Sequence, residues 1–274
     1  MKTLAEFKAN EINALSYTDF VGLLNQWNVP PGSLSTISKW RVFSNLSASS
    51  NLLEVACTTG FSSRELALSS QCKATGVDVS EMSIKAAQKN KVGYAANANL
   101  EYYVHDGCTF KGENKYSHVV IGAALKFFPE PQKLVSHIIT LMDDEGYLLA
   151  SPFYIKEPIP ADLVERFRGV FGIRPTTEGY KDVMQLYKGW EVIYQDHMDI
   201  YPETESELEH YCDGTVKRQL KEDGVSSNEI FDVCYKRLLE IKHMSNLLRP
   251  YQKYTTLVLR YRKNIYPDRY IELF

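Results

Sequence analysis

The feature that most constrains the fold of this 274-residue chain is an alternation of short apolar runs with helical segments in its first half. The apolar runs lie at 52–57, 74–79, 100–104, 117–122 and 146–150, with helices predicted at 61–70, 81–95 and 130–142. Strands that are apolar along their whole length and are separated by helices are typical of a parallel sheet covered on both faces. The sequence therefore predicts an α/β fold with a doubly wound, Rossmann-like core.

The segments on either side of this alternation are predicted to be mainly helical. Helices are expected at 3–28, 33–45, 160–172, 179–188, 204–222 and 227–247, and strands at 190–198 and 254–262. We expect a mostly parallel seven-stranded sheet whose last strand is antiparallel, because that strand is partly alternating. The predicted parts are an N-terminal helical lid (1–45), the Rossmann-like core (46–202), a helical insertion over the ligand edge of the sheet (203–250), and the final strand with a C-terminal tail (251–274).

Composition and charge disfavour several classes of partner. A net charge of −3 gives no electrostatic reason to expect nucleic acid or an acidic membrane. The basic stretch 249–263 is interpreted as the solvated face of a strand rather than a phosphate-binding stripe. Five cysteines without a Cys-x-x-Cys pair indicate reduced thiols in a cytoplasmic protein, and no run approaches the about 20 apolar residues that cross a bilayer. No metal is expected, because no cluster has ligand spacing, and both a monomer and a homodimer are compatible with the chain.

The stretch Leu-Leu-Glu-Val-Ala-Cys-Thr-Thr-Gly at 52–60 is the most informative about a ligand. It contains a carboxylate, Glu54, then small residues as far as Gly60, and Phe61 begins a predicted helix. A turn with small side chains lets backbone N–H groups approach a ligand, and the helix directs its positive end to the same place. This strand–turn–helix unit is typical of nucleotide-like cofactor sites.

Three segments, in order, resemble the class I S-adenosylmethionine-dependent methyltransferases. Residues 53–60 resemble the family's acidic and glycine-containing first motif, 75–80 form a strand ending in Asp78, and 104–107 place Asp106 after the third strand. A further similarity lies at 119–125. The resemblance implies a Rossmann-like fold, S-adenosylmethionine as cofactor and methyl transfer as the reaction.

The chemistry of that cofactor indicates roles for these residues. A carboxylate at a strand end can accept both ribose hydroxyls, which makes Asp78 the candidate, and the resemblance assigns the adenine amino group to Asp106. Glu54 would help to place the methionine ammonium, and Ala123 would lie by the sulfonium. The other predicted cofactor contacts are Ala56, Thr58, Gly60, Val79 and Gly107. Taken singly, Asp78 could instead be a helix cap, and Asp106-Gly107 could be a turn.

The first motif departs from the commonest family pattern, which has glycine where this chain has Ala56 and Thr58. The extra methyl of Ala56 is easily tolerated. Thr58 is β-branched and resists a positive φ angle. We therefore expect a negative φ at Thr58, and the alternative is a remodelled pocket.

The methyl-acceptor side is less determined by the sequence, because an in-line displacement requires mainly that the acceptor be held close and aligned. The predicted acceptor contacts are Tyr17, Phe127, Tyr154 and Tyr187, each of which could instead simply pack the fold. Tyr17 and Trp27 could close over the cofactor as a lid. We predict a small, ring-containing organic acceptor that is methylated on O, N or C.

A base is needed only where the acceptor carries a proton, and we predict His210 and Tyr211 of the insertion helix for this role. His105 is expected to point away from the pocket, as alternation along a strand dictates. Lys126 stands where many similar small-molecule methyltransferases carry a histidine, or it is a surface residue.

Other functions fit the residues less well. A nicotinamide-dependent oxidoreductase is disfavoured, because two early glycines and a Tyr-x-x-x-Lys pair are missing. A macromolecular methyltransferase is disfavoured because the chain lacks a basic patch for nucleic acid. A non-catalytic S-adenosylmethionine-binding or partner-binding protein on a methyltransferase scaffold stays open.

Overall fold

The computed structural model describes residues 3–263, which contain an eight-stranded sheet. The strands are β1 (Asn51–Val55), β2 (Lys73–Asp78), β3 (Leu100–Val104), β4 (Tyr116–Gly122), β5 (Met142–Ala150), β6 (Phe153–Ile155), β7 (Glu191–Asp199) and β8 (Gln252–Arg262). The first five are parallel in the order β3-β2-β1-β4-β5, and β8 runs antiparallel beside β5. The predicted doubly wound α/β fold with an antiparallel last strand is confirmed.

The sheet has one strand more than predicted, the short β6. β6 pairs with the first residues of β8, on the same edge of β8 that pairs with β5 nearer its end. β7 pairs with the opposite edge of β8. β5 and β6 are interrupted at Ser151-Pro152, where proline has no N–H to donate to a ladder. Three residues behind a proline carry too little pattern to be predicted as a strand.

The helices are α1 (Ala9–Ala14), α2 (Tyr17–Leu23), α3 (Ser33–Phe43), α4 (Phe61–Ser70), α5 (Glu81–Tyr94), α6 (Pro131–Leu141), α7 (Ala161–Phe171), α8 (Tyr180–Met184), α9 (Glu205–Glu222) and α10 (Asn228–Leu248). Short 3-10 turns lie at Leu4–Glu6, Leu125–Phe127, Gln185–Tyr187 and Arg249–Tyr251. Side chains of α3, α4 and α5 pack one face of the sheet, and those of α6 and α8 pack the other. No helix within residues 3–263 is long and apolar enough to span a bilayer.

The single helix predicted over residues 3–28 is wrong, because the segment is divided into a 3-10 turn, α1 and α2. Leu15 is extended, with φ −62° and ψ 150°, and therefore ends α1. Ser16 then begins α2 by accepting a 3.1 Å hydrogen bond from the Asp19 N–H. A serine N-cap inside an apolar helical pattern restarts the helix in a new direction.

A second hydrophobic core joins helices that are far apart in the sequence. Its buried side chains come from α1, α2, α7, α9 and α10, and we call these five helices the helical cap. The guanidinium of Arg237 on α10 lies 4.4 Å from the Phe20 ring centre and donates to the carbonyls of Ile12 and Leu15. The N-terminal segment and the 203–250 insertion therefore pack together, with α7 added to them.

Candidate active site

The turn between β1 and α4 is held in left-handed backbone conformations. The φ angle is 56° at Ala56, 46° at Thr58 and 74° at Gly60. The expected negative φ at Thr58 is therefore wrong. The turn is fixed instead by hydrogen bonds from the Cys57 N–H to the Val77 carbonyl (3.0 Å) and from the Gly60 N–H to the Cys57 carbonyl (2.8 Å). A β-branched residue at positive φ is strained, and such strain persists only where surrounding bonds enforce it.

Asp78 at the end of β2 accepts one of the hydrogen bonds that hold this turn. Its Oδ2 accepts from the Thr58 N–H at 3.0 Å, and its Oδ1 accepts from the Ser80 N–H at 2.9 Å. Burial raises the pKa of this carboxyl group. The cap of α5 is Ser80, whose side chain accepts from the Ser83 N–H at 3.1 Å. Asp78 is thus left facing the cavity and is not the helix cap.

Glu54 is a buried carboxylate with no cation beside it. It is 6% exposed, and its Oε2 accepts from the Ser63 N–H at 2.9 Å. No lysine or arginine nitrogen of the described chain lies within salt-bridge distance of it. Burial raises the pKa of Glu54 to about 7. A ligand ammonium at this place would supply the missing counter-charge.

Gly60 lies behind the turn and does not line the cavity. Its carbonyl accepts from the Tyr102 hydroxyl at 2.8 Å, and a Cβ at this position would stand 2.3 Å from that hydroxyl oxygen. Glycine is therefore required here for packing of the turn against β3. Ala56 and Thr58 line the cavity, and so does Ser62 at the start of α4.

The loop after β3 completes the cofactor edge. Asp106 accepts from the Cys108 N–H at 2.8 Å, and a Cβ on Gly107 would lie 2.4 Å from Val55 Cγ1, so this backbone packs directly on β1. Both residues line the cavity, as do Val79 and Ala123 on neighbouring strand ends.

His105 also lines this cavity, so the expectation that it points away is wrong. It lies beyond the last residue of β3, where strand alternation no longer fixes direction. Its Nδ1 is 2.9 Å from the Asp106 carbonyl oxygen. A carbonyl can only accept, so Nδ1 carries the proton and Nε2 is left as an acceptor.

The cavity has a volume of about 2480 Å³ and extends from these strand ends to the helical cap. Tyr17 and Phe127, two of the four predicted acceptor contacts, line it. Tyr154 does not, because its hydroxyl is bonded to His197 Nδ1 (2.9 Å) on the outer part of the sheet. Tyr187 does not either, because it is 2% exposed and packs in the core beneath α6. The prediction that Tyr154 and Tyr187 contact the acceptor is therefore wrong.

The pair His210 and Tyr211 also lies outside the cavity lining. The buried face of α9 carries Leu208, Cys212 and Val216, which turns His210 towards solvent. The Tyr211 ring lies 4.2 Å beneath the Lys242 ammonium. The prediction that this pair supplies the base is wrong, because neither side chain lines the cavity.

Two further residues lie outside the cavity, Trp27 against its prediction and Lys126 in agreement with the surface alternative. Trp27 packs edge-to-face on Tyr94, with ring centres 5.2 Å apart, and under the Arg64 guanidinium, so it does not close over the cavity. Lys126 forms a 2.5 Å ion pair with Glu178 and does not line the cavity.

The structure adds Gln26, which the sequence did not mark. This side chain is 5% exposed and lines the cavity, and its Oε1 has no hydrogen-bond partner within residues 3–263. Its own carbonyl accepts from Thr59 Oγ1 at 3.0 Å, which holds it beside the first turn. A glutamine in a loop between two helices gives no sequence signal of this kind.

The N-terminal segment is fastened to the cofactor edge. Ser80 Oγ donates to Asp19 Oδ1 at 2.6 Å, and Ser83 Oγ donates to the Thr18 carbonyl at 2.9 Å. A Cβ on Gly22 would stand 2.4 Å from the Ser83 nitrogen, so α2 and α5 are in direct backbone contact. Asp19 therefore positions the wall of the site through Ser80.

Comparison with known proteins agrees with this geometry. A family model for the methyltransferase domain matches residues 46–197, more than half of the chain. The chain belongs to this methyltransferase family. A curated relative, malonyl-[acyl-carrier protein] O-methyltransferase 1 of Ilyobacter polytropus, is 31% identical over 104 residues, and this match spans 38% of the chain and 38% of the relative.

Solved structures extend the similarity to the flanks of the methyltransferase domain. The MccD protein is 26% identical, with a TM-score of 0.71 over 86% of this chain and 100% of that chain. A methyltransferase from Geobacter sulfurreducens, solved in complex with S-adenosyl-L-homocysteine, shares the fold at 13% identity, with a TM-score of 0.65 over 89% of this chain and 98% of that chain.

This methyltransferase is an S-adenosylmethionine-dependent enzyme. Its residues fit the cofactor, because the uncompensated Glu54 and the unpartnered Gln26 face the same cavity as the two strand-end carboxylates. When bound, S-adenosylmethionine supplies an activated methyl group. No group of three His, Cys, Asp or Glu side chains in the described part of the chain could hold a metal ion, and metal independence stays a prediction.

Proposed function

We propose that the methyltransferase transfers the methyl group to an O, N or C atom of a small, ring-containing organic acceptor. The observation that carries this proposal is the continuation of the cavity from the strand-end carboxylates to the helical cap. Its volume of about 2480 Å³ exceeds the about 300–1,000 Å³ of an ordinary single-ligand site. The excess is room for an acceptor beside the cofactor.

The acceptor end of this cavity is aromatic. Tyr17 packs on Phe171 with ring centres 4.8 Å apart, and Phe171 is stacked on Phe167 at 4.1 Å. Phe127 and Phe153 line the cavity from the sheet side. Such a surface favours an acceptor with a ring, because aromatic faces give large contact area and prefer offset or edge-on partners.

The cofactor end has a definite proposed division of roles. Asp78 would accept the ribose hydroxyls, and Asp106 would accept from the adenine amino group. Glu54, with Gln26 beside the same turn, would hold the methionine end. Ala123 is small, so it leaves space next to the activated methyl group. The helical cap would exclude water and hold the acceptor in line with the bond that breaks.

His105 replaces the pair on α9 as the proposed proton acceptor. The residue lines the cavity, its ring packs edge-on against Phe110 with ring centres 5.3 Å apart, and its Nε2 is the nitrogen that would take a proton from an acceptor hydroxyl or amine. The new bond to the acceptor atom would form as the carbon–sulfur bond breaks, with the electron pair going to sulfur. An acceptor without a proton at that atom would need no base.

The test is a turnover assay with S-adenosylmethionine and a panel of phenols, aromatic amines and aromatic acids, with methylated product detected by mass spectrometry. Malonyl-acyl carrier protein is included because the curated relative is named for that acceptor. Product from a small aromatic compound, absent with Asp78→Ala, would support the proposal. Product only from the carrier protein would overturn the small-molecule part, and tight cofactor binding without any product would favour a non-catalytic binding protein.

The predicted monomer or homodimer without a nucleic-acid partner is checked separately by light scattering.

A further inference from the structure

Lys242 is a cation in the acceptor half of the cavity without an anion beside it. It lies on α10, lines the cavity and places its Nζ 4.2 Å from the centre of the Tyr211 ring. No carboxylate within residues 3–263 comes within salt-bridge distance of this Nζ. The side chain is partly buried, and burial lowers the pKa of its ammonium.

The charged groups around Lys242 already have partners. Arg249 forms a 2.8 Å ion pair with Glu203, and His243 lies 2.8 Å from Glu205. Glu203 favours the charged form of Lys242 from beyond ion-pair distance, and the nearby Arg249 opposes it. Within residues 3–263 the contact that the ammonium makes is therefore with the Tyr211 ring and not with a carboxylate.

A ring alone is a weak substitute for a counter-ion. A cation–π contact recovers only a small part of the free energy that removing a charge from water costs. A cation that is held at a cavity surface and lacks a counter-ion is suited to bind one from a ligand. The simpler alternative is that Tyr211 is sufficient and Lys242 only stabilises the contact between α9 and α10.

We propose that Lys242 binds an anionic group of the acceptor, a carboxylate or a phosphate, while the ring of the acceptor packs on Tyr17 and Phe171. This inference rests on the proposed small-molecule acceptor and adds its charge. Two more cations, Arg166 and Lys236, line the same cavity at exposed positions and form no ion pair within the described residues. From β7 to α10 the lining carboxylates are Asp199 and Glu203, which pair with Lys253 and Arg249, and Glu240. The unpaired cations outnumber Glu240 and would attract an anionic acceptor.

The experiment is calorimetric titration of the full chain with benzoate, phenyl phosphate and the neutral benzamide, with and without saturating S-adenosylhomocysteine. We expect one or both anions to bind at least about tenfold more tightly than benzamide, because charge-assisted bonds are roughly twice as strong as neutral ones. Lys242→Met should weaken anion binding by at least about tenfold, and Lys242→Arg should retain most of it. Lys221→Met, on the exposed face of α9 and outside the cavity, is the matched control.

The outcomes separate this inference from the proposed function. Preference for phenyl phosphate over benzoate would identify the group as a phosphate, and the reverse would identify a carboxylate. Equal binding of benzamide, no binding of either anion, or unchanged anion binding in Lys242→Met would overturn the role of Lys242. S-adenosylhomocysteine binding is measured on the parent chain and on each variant. Absence of that binding in the parent chain would refute the cofactor site and not the role of Lys242. Unchanged S-adenosylhomocysteine affinity in Lys242→Met also shows that the variant is folded.

Discussion

The two walls of the cavity are built in opposite ways. One wall, which we propose binds the cofactor and call the cofactor wall, places Glu54, Asp78 and Asp106 at or near the ends of adjacent parallel strands. The other, which we call the cap wall, is formed by the helical cap, whose helices are more than 200 residues apart at the extremes. The residues proposed to bind S-adenosylmethionine therefore come from one compact unit, whereas those proposed to select the acceptor are distributed along the chain.

The sharpest challenge to this comparison is the Asp78→Ala variant. Asp78 would accept two ribose hydroxyls, and hydrogen bonds to a charged group contribute about 1.5–3 kcal/mol each, so S-adenosylhomocysteine affinity should fall by about 100-fold or more. Calorimetric titration measures this directly. Asp182→Ala, an exposed carboxylate on α8 outside the cavity, should bind like the parent chain. A loss of less than about threefold in Asp78→Ala would mean that the cofactor wall does not act through this carboxylate.

Glu54→Gln tests whether the cofactor wall is built for binding at the expense of stability. We expect S-adenosylhomocysteine affinity to fall by about tenfold, because the charge that faces the ammonium is removed while the bond from the Ser63 N–H is kept. The free variant should be more stable than the parent near neutral pH, by about 1–3 kcal/mol. Thermal unfolding with and without ligand measures both effects.

The pH dependence of this effect has a definite sign. Burial raises the pKa of Glu54 to about 7, whereas in the unfolded chain the pKa of this carboxyl group is near its ordinary value of 4.5. Between these values the native state binds more protons than the unfolded state, so this group lowers stability as pH rises, and its full penalty applies above about pH 7. Glu54→Gln should therefore raise the unfolding temperature at about pH 8 and leave it nearly unchanged at about pH 4. Equal shifts at both pH values would contradict a buried, uncompensated carboxylate.

Asp19→Ala tests the contact between α2, which belongs to the cap wall, and α5, which follows the cofactor wall. The substitution removes the 2.6 Å bond from Ser80 Oγ, so α2 should loosen from α5 without loss of any proposed cofactor contact. Hydrogen exchange of residues 16–24 should become faster, and S-adenosylhomocysteine affinity should fall by only about three- to tenfold. Asp232→Ala, exposed near the start of α10, should change neither property. An unchanged exchange rate would show that the bond from Ser83 Oγ to the Thr18 carbonyl and the backbone packing at Gly22 hold this junction without Asp19.

Thr58→Gly is expected to have the smallest effect. Glycine relieves the strain at φ 46° but adds entropy to the unfolded chain, so stability should change by no more than about 1 kcal/mol. S-adenosylhomocysteine affinity should stay within about threefold of the parent, since the Thr58 N–H that bonds Asp78 is preserved. Thr58→Val, which keeps the branching but loses the hydroxyl bond to the Cys57 carbonyl, is the companion variant. A large loss in Thr58→Gly would show that the threonine side chain itself contacts the ligand.

The cofactor wall could be predicted from the sequence because strand ends are local features. The five core strands and the placement of Asp78 follow from apolar runs that stop at a carboxylate. The conformation of Thr58 could not be predicted, because the bond that enforces its φ comes from another strand. Ser16 was equally hidden, since an N-cap within an apolar pattern looks like one more helical residue.

The residues of the cap wall that line the cavity could not be predicted from the sequence. The positions of α7, α9 and α10 were predicted, but the sides they turn towards the cavity depend on packing partners far away in the chain. The sequence pattern therefore places both Tyr187 and His210 in the site, whereas Tyr187 packs in the core and His210 faces solvent. Lys242 and Gln26, which do line the cavity, are unremarkable residues in the sequence.

The hydrogen bonds from Arg237 to the Ile12 and Leu15 carbonyls have a consequence for the order of folding during synthesis. Arg237 follows Leu15 by 222 residues, which a ribosome adding about 5–20 residues per second needs about 10–45 s to make. During that interval α2 can already pack on α5, but Ile12 of α1 has no α10 to pack against, so α1 stays unplaced while the sheet forms. The helix α1 is thus synthesised before the sheet but is among the last elements of residues 3–263 to reach its final position, and chaperones have long access to it.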